Sequence, residues 1–496
     1  MTATFLRHIK QVGLLCGVGA SATLACSVYD SSLLVESDGG AGMSGASGNA
    51  GNAGSGGTAG SGGTAGSGGT SGAGGTAGTG GTSDGPFWHD MEVGDPPLCP
   101  TESRPDKTMR PSGTDTDEIE PFYVAWTRAR FGAVAGIDDF TPDLNAWKDI
   151  GFNLDRACNK ATWPEGVLSG AAANDCPAAG IKTCTNDFQN VFDGNYCRDN
   201  AIGRLFGLAA ESPILGQPFR LTEADWNCAM HRGSMSIIFK VSNYNGQLND
   251  ESVRLDMYSS VGVTEAASWR CREDESSASQ LTSNWQAQAP QPLTKRWQFP
   301  RRDLDPAALE PGGTHIKNSK WADATAYVRN GWLIAQLPAN SELWFNGLNA
   351  HTRGIRMVIQ NTVIAAKLEL QPSERWSVKE GVIGGSIKPG DMITGFRNLG
   401  FCENACDSYS TTIGYLNQTM DMLSASNDPV PSATCDALSF GIQFRGEEVR
   451  PGPVVDVPPP VDCPEPPENE DIGRQGCICP PPGSGGRCEL PDPDAG

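Results

Sequence analysis

The fold of this chain is decided by Ile355–Leu370 (IRMVIQNTVIAAKLEL) and Trp376–Ile387 (WSVKEGVIGGSI), which follow one another closely in the sequence. Both stretches are rich in β-branched residues and alternate apolar with polar side chains, the two-residue period of a strand with one buried face. The turn residues QPSE, at positions 371–374, separate the two stretches. They therefore predict two long strands of a β-rich domain.

The same alternation predicts seven further strands: Phe122–Arg130, Ser234–Tyr244, Ser252–Tyr258, Asp323–Arg329, Trp332–Leu337, Glu342–Phe345 and Leu438–Phe444. Helix caps and helical periodicity predict five short helices: Thr141–Asp149, Asp199–Leu208, Thr222–Met230, Pro389–Leu399 and Ser408–Leu423. Strands occur in runs and βαβ alternation is missing, which disfavours Rossmann and barrel enzymes. We therefore expect an α+β fold, mainly antiparallel β, packed as a sandwich or jelly roll with a few short helices.

Glycine is concentrated before this domain. The chain has 496 residues and 61 glycines, and 22 of those glycines fall between Gly39 and Gly85. Glycine occupies every third position from Gly39 to Gly81, but this tract contains no proline to pre-order a collagen helix. A flexible, disordered spacer is the favoured interpretation, with a root-mean-square reach of roughly 35–40 Å.

The N-terminus has the layout of an export signal. Arg7 and Lys10 precede the apolar, small-residue stretch Gln11–Ala25, which is too short to be a stable spanning helix. Leu24-Ala25-Cys26 then resembles the lipobox of bacterial lipoproteins, although Thr23 stands where that family prefers an aliphatic residue. The resemblance implies cleavage before Cys26, lipid attachment to Cys26 and, with Ser27 following it, an outer-membrane or cell-surface location. Ordinary secretion is the alternative.

These patterns predict the organisation of the whole chain. We expect a signal peptide at 1–25, a lipid-anchored N-terminus at 26–38, a Gly-rich low-complexity linker at 39–85, a β-rich disulfide-bonded domain at 86–450 and a Pro/Cys-rich tail at 451–496. A lipidated cysteine followed by such a spacer resembles myxobacterial-type secreted lipoproteins with a Gly-rich spacer and a β-rich, Cys-rich head.

The cysteines agree with export. Without Cys16 and Cys26 the chain keeps fourteen cysteines, an even number that indicates disulfides in an oxidising compartment. No CxxC pair is present, which disfavours a zinc site. The disulfide candidates are Cys99, Cys158, Cys176, Cys184, Cys197, Cys228, Cys271, Cys402, Cys406, Cys435, Cys463, Cys477, Cys479 and Cys488.

Acidic and amide residues are unusually dense between Asp138 and Asn200. Ca²⁺ takes six to eight oxygen ligands from carboxylates, amides and carbonyls, so loops of this kind are candidate calcium ligands. The candidate ligands are Asp155, Asp187, Asp193, Asn195 and Asp199. The alternative is that these residues serve as turns and helix caps, in which Asp and Asn are favoured.

The same domain contains candidate residues for sugar binding and for hydrolysis. Trp321, Trp332 and Trp344 could stack on sugar faces with help from Asn346, Asn349 and His351, but such aromatics commonly belong to the core. His231 with Ser234 or Ser236 is a possible nucleophile pair, and a structural histidine is the favoured interpretation. SxxK, HExxH and GxxxxGK(S/T) are missing, and the GxSxG string at Gly81–Gly85 lies in the spacer. No catalytic residue is therefore assigned.

The formal charge of −21 excludes binding to nucleic acid through phosphate neutralisation. The sequence predicts a cell-surface or outer-membrane lipoprotein that presents a β-rich binding or structural domain. Its expected partners are a membrane, through the lipid, and a glycan or cell-surface protein. The alternative function is a secreted polysaccharide-acting hydrolase. No cofactor is assigned with the exception of the candidate Ca²⁺.

Overall fold

The computed structural model describes residues 104–113, 118–157, 183–186, 193–211, 223–264, 295–304, 307, 309–345, 354–398, 407–425, 428–457, 472–473 and 477–478. Its strands are β1 (Phe122–Arg130), β2 (Val134–Gly136), β3 (Asp139–Pro142), β4 (Ser236–Ser242), β5 (Asp250–Ser260), β6 (Arg296–Pro300), β7 (Trp321–Arg329), β8 (Trp332–Gln336), β9 (Ser341–Phe345), β10 (Ile355–Leu370), β11 (Trp376–Ile387), β12 (Leu438–Val455), β13 (Ile472–Gly473) and β14 (Cys477–Ile478).

Four α-helices accompany these strands in the described part of the chain: α1 (Ala201–Glu211), α2 (Glu223–Arg232), α3 (Pro389–Asn398) and α4 (Asp407–Gln418). Short 3₁₀ helices span Lys107–Met109, Ala146–Asp149, Asn195–Cys197 and Arg301–Asp303. The helix predicted from Thr141 is wrong at its start, because Thr141 and Pro142 pair in β3 and only the end of the segment coils. Among the described residues, no helix has the length and apolar character needed to cross a bilayer.

Eight strands form one closed antiparallel barrel, and the predicted sandwich or jelly roll is wrong. Neighbouring strands follow chain order through β1, β4, β5, β7, β8, β10, β11 and β12, and β12 then pairs back with β1. The closing ladder runs from Tyr123 opposite Val449 to Arg130 opposite Gln443. A single sheet therefore curls until its first and last strands meet, instead of dividing into two stacked sheets.

Local sequence determines the hairpins of this barrel. Asn330 and Gly331 have φ values of 53° and 78° between β7 and β8. Both central residues of a type I′ turn require positive φ, and Asn-Gly is the pair that adopts it most readily. The long strand β10 pairs with two other strands along its length. Its residues Ile355–Ile359 pair with β9, and its residues Val363–Lys367 pair with β8.

The barrel interior is filled with side chains. One buried cluster takes alternate residues from all eight barrel strands, including Trp126, Phe239 and Phe444, as expected of the inward face of a closed sheet. The rings of Trp126 and Phe444 are stacked with centroids 4.4 Å apart, and Phe239 meets Phe444 edge-on at 5.4 Å. At Gly381, a Cβ atom would come within 2.3 Å of the Phe444 ring, so glycine leaves the space that this ring fills.

Helix α2 packs against the barrel cluster through Trp226. The indole lies 4.1 Å from the ring of Phe131 and 4.5 Å from that of Phe345, measured between centroids. Glu223 fixes the start of this helix, because its Oε1 accepts hydrogen bonds from the backbone N–H groups of Phe131, Gly132 and Ala133 at 2.6–2.8 Å. The helix is thereby attached to the end of β1.

Two smaller buried clusters cover parts of the outer surface of the barrel. One includes Trp297 and Phe299 of β6, which packs beside β1 and β4 and pairs in parallel with the end of β12. The other places Phe152, Leu154 and Met422 over outward side chains of β8 and β10. Asp155, a predicted calcium ligand, follows Leu154 of this second cover, and Phe152 forms an isolated bridge with Asp199, another predicted ligand.

Candidate functional site

The candidate site is a group of four buried carboxyls beside the second cover: Asp155, Asp193, Asp199 and Asp421. Asp155 and Asp199 come from segments that pair through an isolated bridge between Phe152 and Asp199. Asp421 follows α4, and the next residue, Met422, pairs with Ala437 just before β12. The side chains of the group are almost inaccessible, with relative exposures of 1% for Asp155, 2% for Asp193, 1% for Asp199 and 5% for Asp421.

Asp155 and Asp199 connect neighbouring loops. The Asp155 carboxylate accepts a hydrogen bond from the backbone N–H of Ala157 at 2.8 Å and another from the hydroxyl of Thr183. Asp199 Oδ2 accepts the backbone N–H of Leu154 at 2.6 Å. Since turns and loop ends leave backbone N–H groups without helical or sheet partners, buried carboxylates of this kind satisfy them.

Asp421 performs the same task at the start of β12. Its carboxylate accepts the backbone N–H of Ser439 at 2.7 Å and also the Ser439 hydroxyl. The Ser439 oxygen in turn accepts the backbone N–H of Ala201, the first residue of α1, at 2.8 Å. One carboxylate therefore ties the start of α1 and the start of β12 to the loop that follows α4.

Burial favours the protonated forms of Asp155, Asp199 and Asp421, and repulsion from neighbouring carboxylates adds to this effect at Asp199 and Asp421. Burial raises the pKa of Asp199 well above its ordinary value, and the charges of Asp155, Asp193 and Asp421 raise it further. Burial raises the pKa of Asp421 to about 7, against the opposing effect of its bonds from Ser439. Burial also raises the pKa of Asp155. The group can therefore take up protons in a range where ordinary aspartates stay ionised.

The predicted calcium ligands are only partly brought together. Asp155, Asp193 and Asp199 lie close enough to act on one another electrostatically, whereas Asn195 donates a hydrogen bond from Nδ2 to Asp149 at 2.7 Å. Asp187 lies outside the described residues. Within the described residues, no three histidine, cysteine or acidic side chains converge as metal ligands. Asp155 accepts the N–H of Ala157, two residues on, as in an Asx turn, and Asp199 accepts the N–H of Leu154 from a neighbouring loop. Calcium binding stays a prediction.

Sequence reasoning missed Asp421 as a member of the group. This residue stands more than 200 positions beyond Asp199 and follows a helix, where an acidic residue carries no special pattern. The one signal available was its place in an apolar context, between Met420 and Met422. A charged residue flanked by buried neighbours must find hydrogen-bond donors, and Ser439 supplies them.

A disulfide crosses the same cover. Cys184 is bonded to Cys435, 251 positions later in the chain. Thr185, which follows Cys184, forms an isolated β-bridge with Thr434, and the Thr185 hydroxyl donates a hydrogen bond to the carbonyl of Pro431 at 2.8 Å. Cys197 and Cys228 also take part in disulfides. Cys477 lies in β14, and the other predicted cysteines fall outside the described residues: Cys99, Cys158, Cys176, Cys271, Cys402, Cys406, Cys463, Cys479 and Cys488.

The predicted sugar platform is not an exposed row of indoles. Trp332 and Trp344 are only 1% and 7% exposed, and Trp321 is half-buried. Trp344 donates from Nε1 to Glu342 at 3.1 Å, so its polar edge is occupied within the protein. The partners Asn346, Asn349 and His351 lie outside the described residues. Stacking of a sugar on Trp332 or Trp344 is therefore excluded in this conformation.

His231, considered above as one half of a nucleophile pair and favoured as a structural residue, is part of the packing. His231 is buried at the end of α2, where burial and the nearby charge of Arg128 lower its pKa to about 4. The hydroxyl of Ser236 donates to the carbonyl of Trp126 at 2.9 Å, which commits it to the ladder between β4 and β1. The favoured interpretation of His231 as a structural residue agrees with this arrangement.

Comparison of the chain with protein-family models, curated proteins and solved structures found no match.

Proposed function

We propose that this chain is an exported, lipid-anchored protein whose barrel head meets its partner through the outer surface. Cys26 carries the lipid and residues 39–85 form the spacer that holds the head away from the membrane. The flexible tract extends the reach of the head by roughly 35–40 Å without fixing its orientation. The head then acts as a binding or structural module outside the membrane.

The observation that carries the binding role is the filled barrel. Trp126, Phe239 and Phe444 occupy the interior, and Gly381 is required to accommodate the ring of Phe444. Barrels of eight strands either fill with side chains or hold one small ligand. A partner of this barrel is therefore met on its outer surface, at loops and strand faces.

The disulfides support the exported location. The Cys184–Cys435 bond joins the second cover to the start of β12, and Cys197 and Cys228 are also oxidised. Disulfides of this structural kind persist in secreted and cell-surface proteins and are rare in a reducing cytosol. They also stabilise a head that has to work without chaperones around it.

A hydrolase gains no support from the buried carboxyls. Glycosidases need two carboxyl groups that flank a sugar in an open site. Asp155, Asp199 and Asp421 are at most 5% exposed and are engaged by backbone and hydroxyl donors. A polysaccharide cannot reach these carboxyls. They therefore cannot serve as the catalytic pair of the alternative function, a polysaccharide hydrolase.

Fractionation tests the proposal directly. Cells fed a labelled fatty acid should incorporate the label into the wild-type chain and retain the chain in the membrane fraction. The Cys26→Ala variant should lose both the label and the membrane association. Cys16→Ala is the matched control and should behave like the wild type. An unlabelled wild type, or a Cys26→Ala variant that stays with the membrane, would refute lipid anchoring.

A further inference from the structure

The chain crosses the outside of the barrel before it enters β1. Residues 104–113, which we call the strap, lie between the predicted spacer and β1 and contain the short 3₁₀ helix Lys107–Met109. Asp106 caps this helix by accepting the backbone N–H of Thr108 at 2.8 Å. Helices shorter than roughly 12 residues are marginal in water, so a single turn depends on the surface against which it packs.

That surface is the outward face of β7. Lys107 donates to the carboxylate of Asp323 at 3.3 Å, and the hydroxyl of Tyr327 donates to the carbonyl of Asp106 at 2.7 Å. Arg329 donates from Nη1 to the carbonyl of Met109 at 2.9 Å. Alternate residues of a strand point to the same side of a sheet, and the residues of β7 that meet the strap alternate in this way: Asp323, Thr325, Tyr327 and Arg329.

A buried methionine and a cation hold the middle of the strap. Met109 is buried in the cluster of the second cover, together with Tyr327 and Trp332. Arg110 donates from Nη2 to the backbone carbonyl of Thr325, and its guanidinium lies 5.9 Å from the centroid of the Tyr327 ring. Each such bond contributes little by itself, but the bonds and the buried methionine have to be lost together for the strap to leave β7.

Both ends of the strap are bonded to other parts of the head. At its start, the backbone N–H of Arg104 donates to the carbonyl of Asn153, whose neighbours in sequence belong to the second cover, at 3.3 Å. At its end, the backbone N–H of Gly113 donates to the carboxylate of Glu251 in β5 at 3.2 Å. A pull on the chain before Arg104 therefore acts on the strap before it acts on Phe122, the first residue of β1.

We propose that the strap is the mechanical attachment of the tether and takes the force that acts when the head is bound to a partner and pulled from the membrane. This inference rests on the proposed function, which makes the chain before the strap a tether. The strand β1 closes the barrel by pairing with both β4 and β12. Its pairing with β4 covers Phe122–Ala125, the end at which an unprotected pull would act first. The strap thereby protects the seam of the closed sheet.

Single-molecule force spectroscopy of the full chain, held by tags at its two termini, tests the inference. In the wild type we expect the strap to stay attached until the barrel itself unfolds. The variant Lys107→Ala/Met109→Ala/Arg110→Ala should show an additional early step at lower force, with a gain in contour length of roughly 60 Å for residues 104–121. Met109→Ala alone, a milder change, should show the same step at an intermediate force. Circular dichroism melts check that both variants fold.

The matched control is Ser112→Ala, which changes an exposed side chain of the same strap and should leave the force trace as in the wild type. A wild type that already shows the early step at the force of the triple variant would overturn the inference. Variants whose traces equal that of the wild type, or a control that behaves like the triple variant, would also overturn it. The measurement needs no lipid, so its failure and a failure of lipid anchoring at Cys26 are told apart.

Discussion

The ring of Phe444 lies flat on that of Trp126, with 4.4 Å between centroids and 8° between planes. A Cβ atom at Gly381, directly across the ladder from Phe444, would come within 2.3 Å of that ring. The two aromatic rings therefore fill one layer of the barrel, and the lack of a side chain at Gly381 leaves the room that they need. The interior of the barrel is therefore a packed core.

Gly381→Ala should lower the free energy of unfolding by about 1–3 kcal/mol, the usual cost of overpacking a close-packed core. Gly414→Ala in α4 is the matched control, since a Cβ there meets nothing within 4 Å. It should leave stability unchanged or raise it by less than about 1 kcal/mol. Urea denaturation of the two variants measures the difference.

A double-variant cycle isolates the contact. Phe444→Ala alone should cost about 3–5 kcal/mol, the usual range for a buried phenylalanine. In the Phe444→Ala background, Gly381→Ala should cost little, because the ring that its Cβ would strike is gone. Strictly additive costs would show that the two residues do not share this layer.

The buried carboxyls make stability depend on pH. A carboxyl whose pKa is raised by folding binds its proton more tightly in the folded state, so its contribution is fully present below the unfolded pKa and is lost as pH rises. For Asp421 this interval runs from 3.8 to about 7. The contribution of Asp421 to the free energy of unfolding of the wild type should therefore fall between about pH 4 and pH 7.

The variant Asp421→Asn should reduce that slope, because the amide does not titrate and can still accept a bond from Ser439. Chemical denaturation at several pH values measures the slope. Glu380→Gln, on an exposed position of β11, is the matched control and should keep the wild-type slope. An Asp421→Asn protein with the full wild-type slope would contradict the assignment.

Asp199→Asn separates proton uptake from calcium binding. At pH 7.5 this variant should melt at a higher temperature than the wild type, because an amide avoids both the cost of burying a charge and the cost of taking up a proton beside Asp155, Asp193 and Asp421. The amide oxygen can still accept the N–H of Leu154. If calcium chloride instead stabilises the wild type and Asp199→Asn abolishes that gain, the calcium prediction would be right.

Loss of the Cys184–Cys435 bond should lower the free energy of unfolding by about 2–5 kcal/mol, the common range for a native disulfide. The bond joins residues 251 positions apart and holds the second cover against the start of β12. The double variant Cys184→Ser/Cys435→Ser, compared with the wild type without reductant, measures this. Equal stability of the two proteins would show that the hydrogen bonds of Thr185 and Asp421 suffice.

The strands of the barrel could be predicted because their signal is local. Ile355–Leu370 and Trp376–Ile387 show the alternation of half-buried strands, and the structure gives both with the predicted bounds. Barrel closure could not be predicted in this way. It depends on Tyr123 pairing with Val449, more than 300 positions away, and alternation has the same period in a sandwich and in a barrel.

Only part of the candidate site could be predicted from the sequence. Asp155, Asp193 and Asp199 are close in sequence and are brought together, as their density indicated. The hydrogen-bond partners could not be predicted, since Thr183 beside Asp155 and Ser439 beside Asp421 are ordinary residues until the fold places them next to a buried carboxylate.

The central claim is that the head stands outside the cell on a lipid anchor. The most direct measurement is antibody labelling of the head on intact cells, in the wild type and in Cys26→Ala. We expect strong labelling of intact wild-type cells and loss of cell-bound label in the variant, with the head released to the medium or periplasm. Labelling of the wild type only after the cells are permeabilised would contradict the claim.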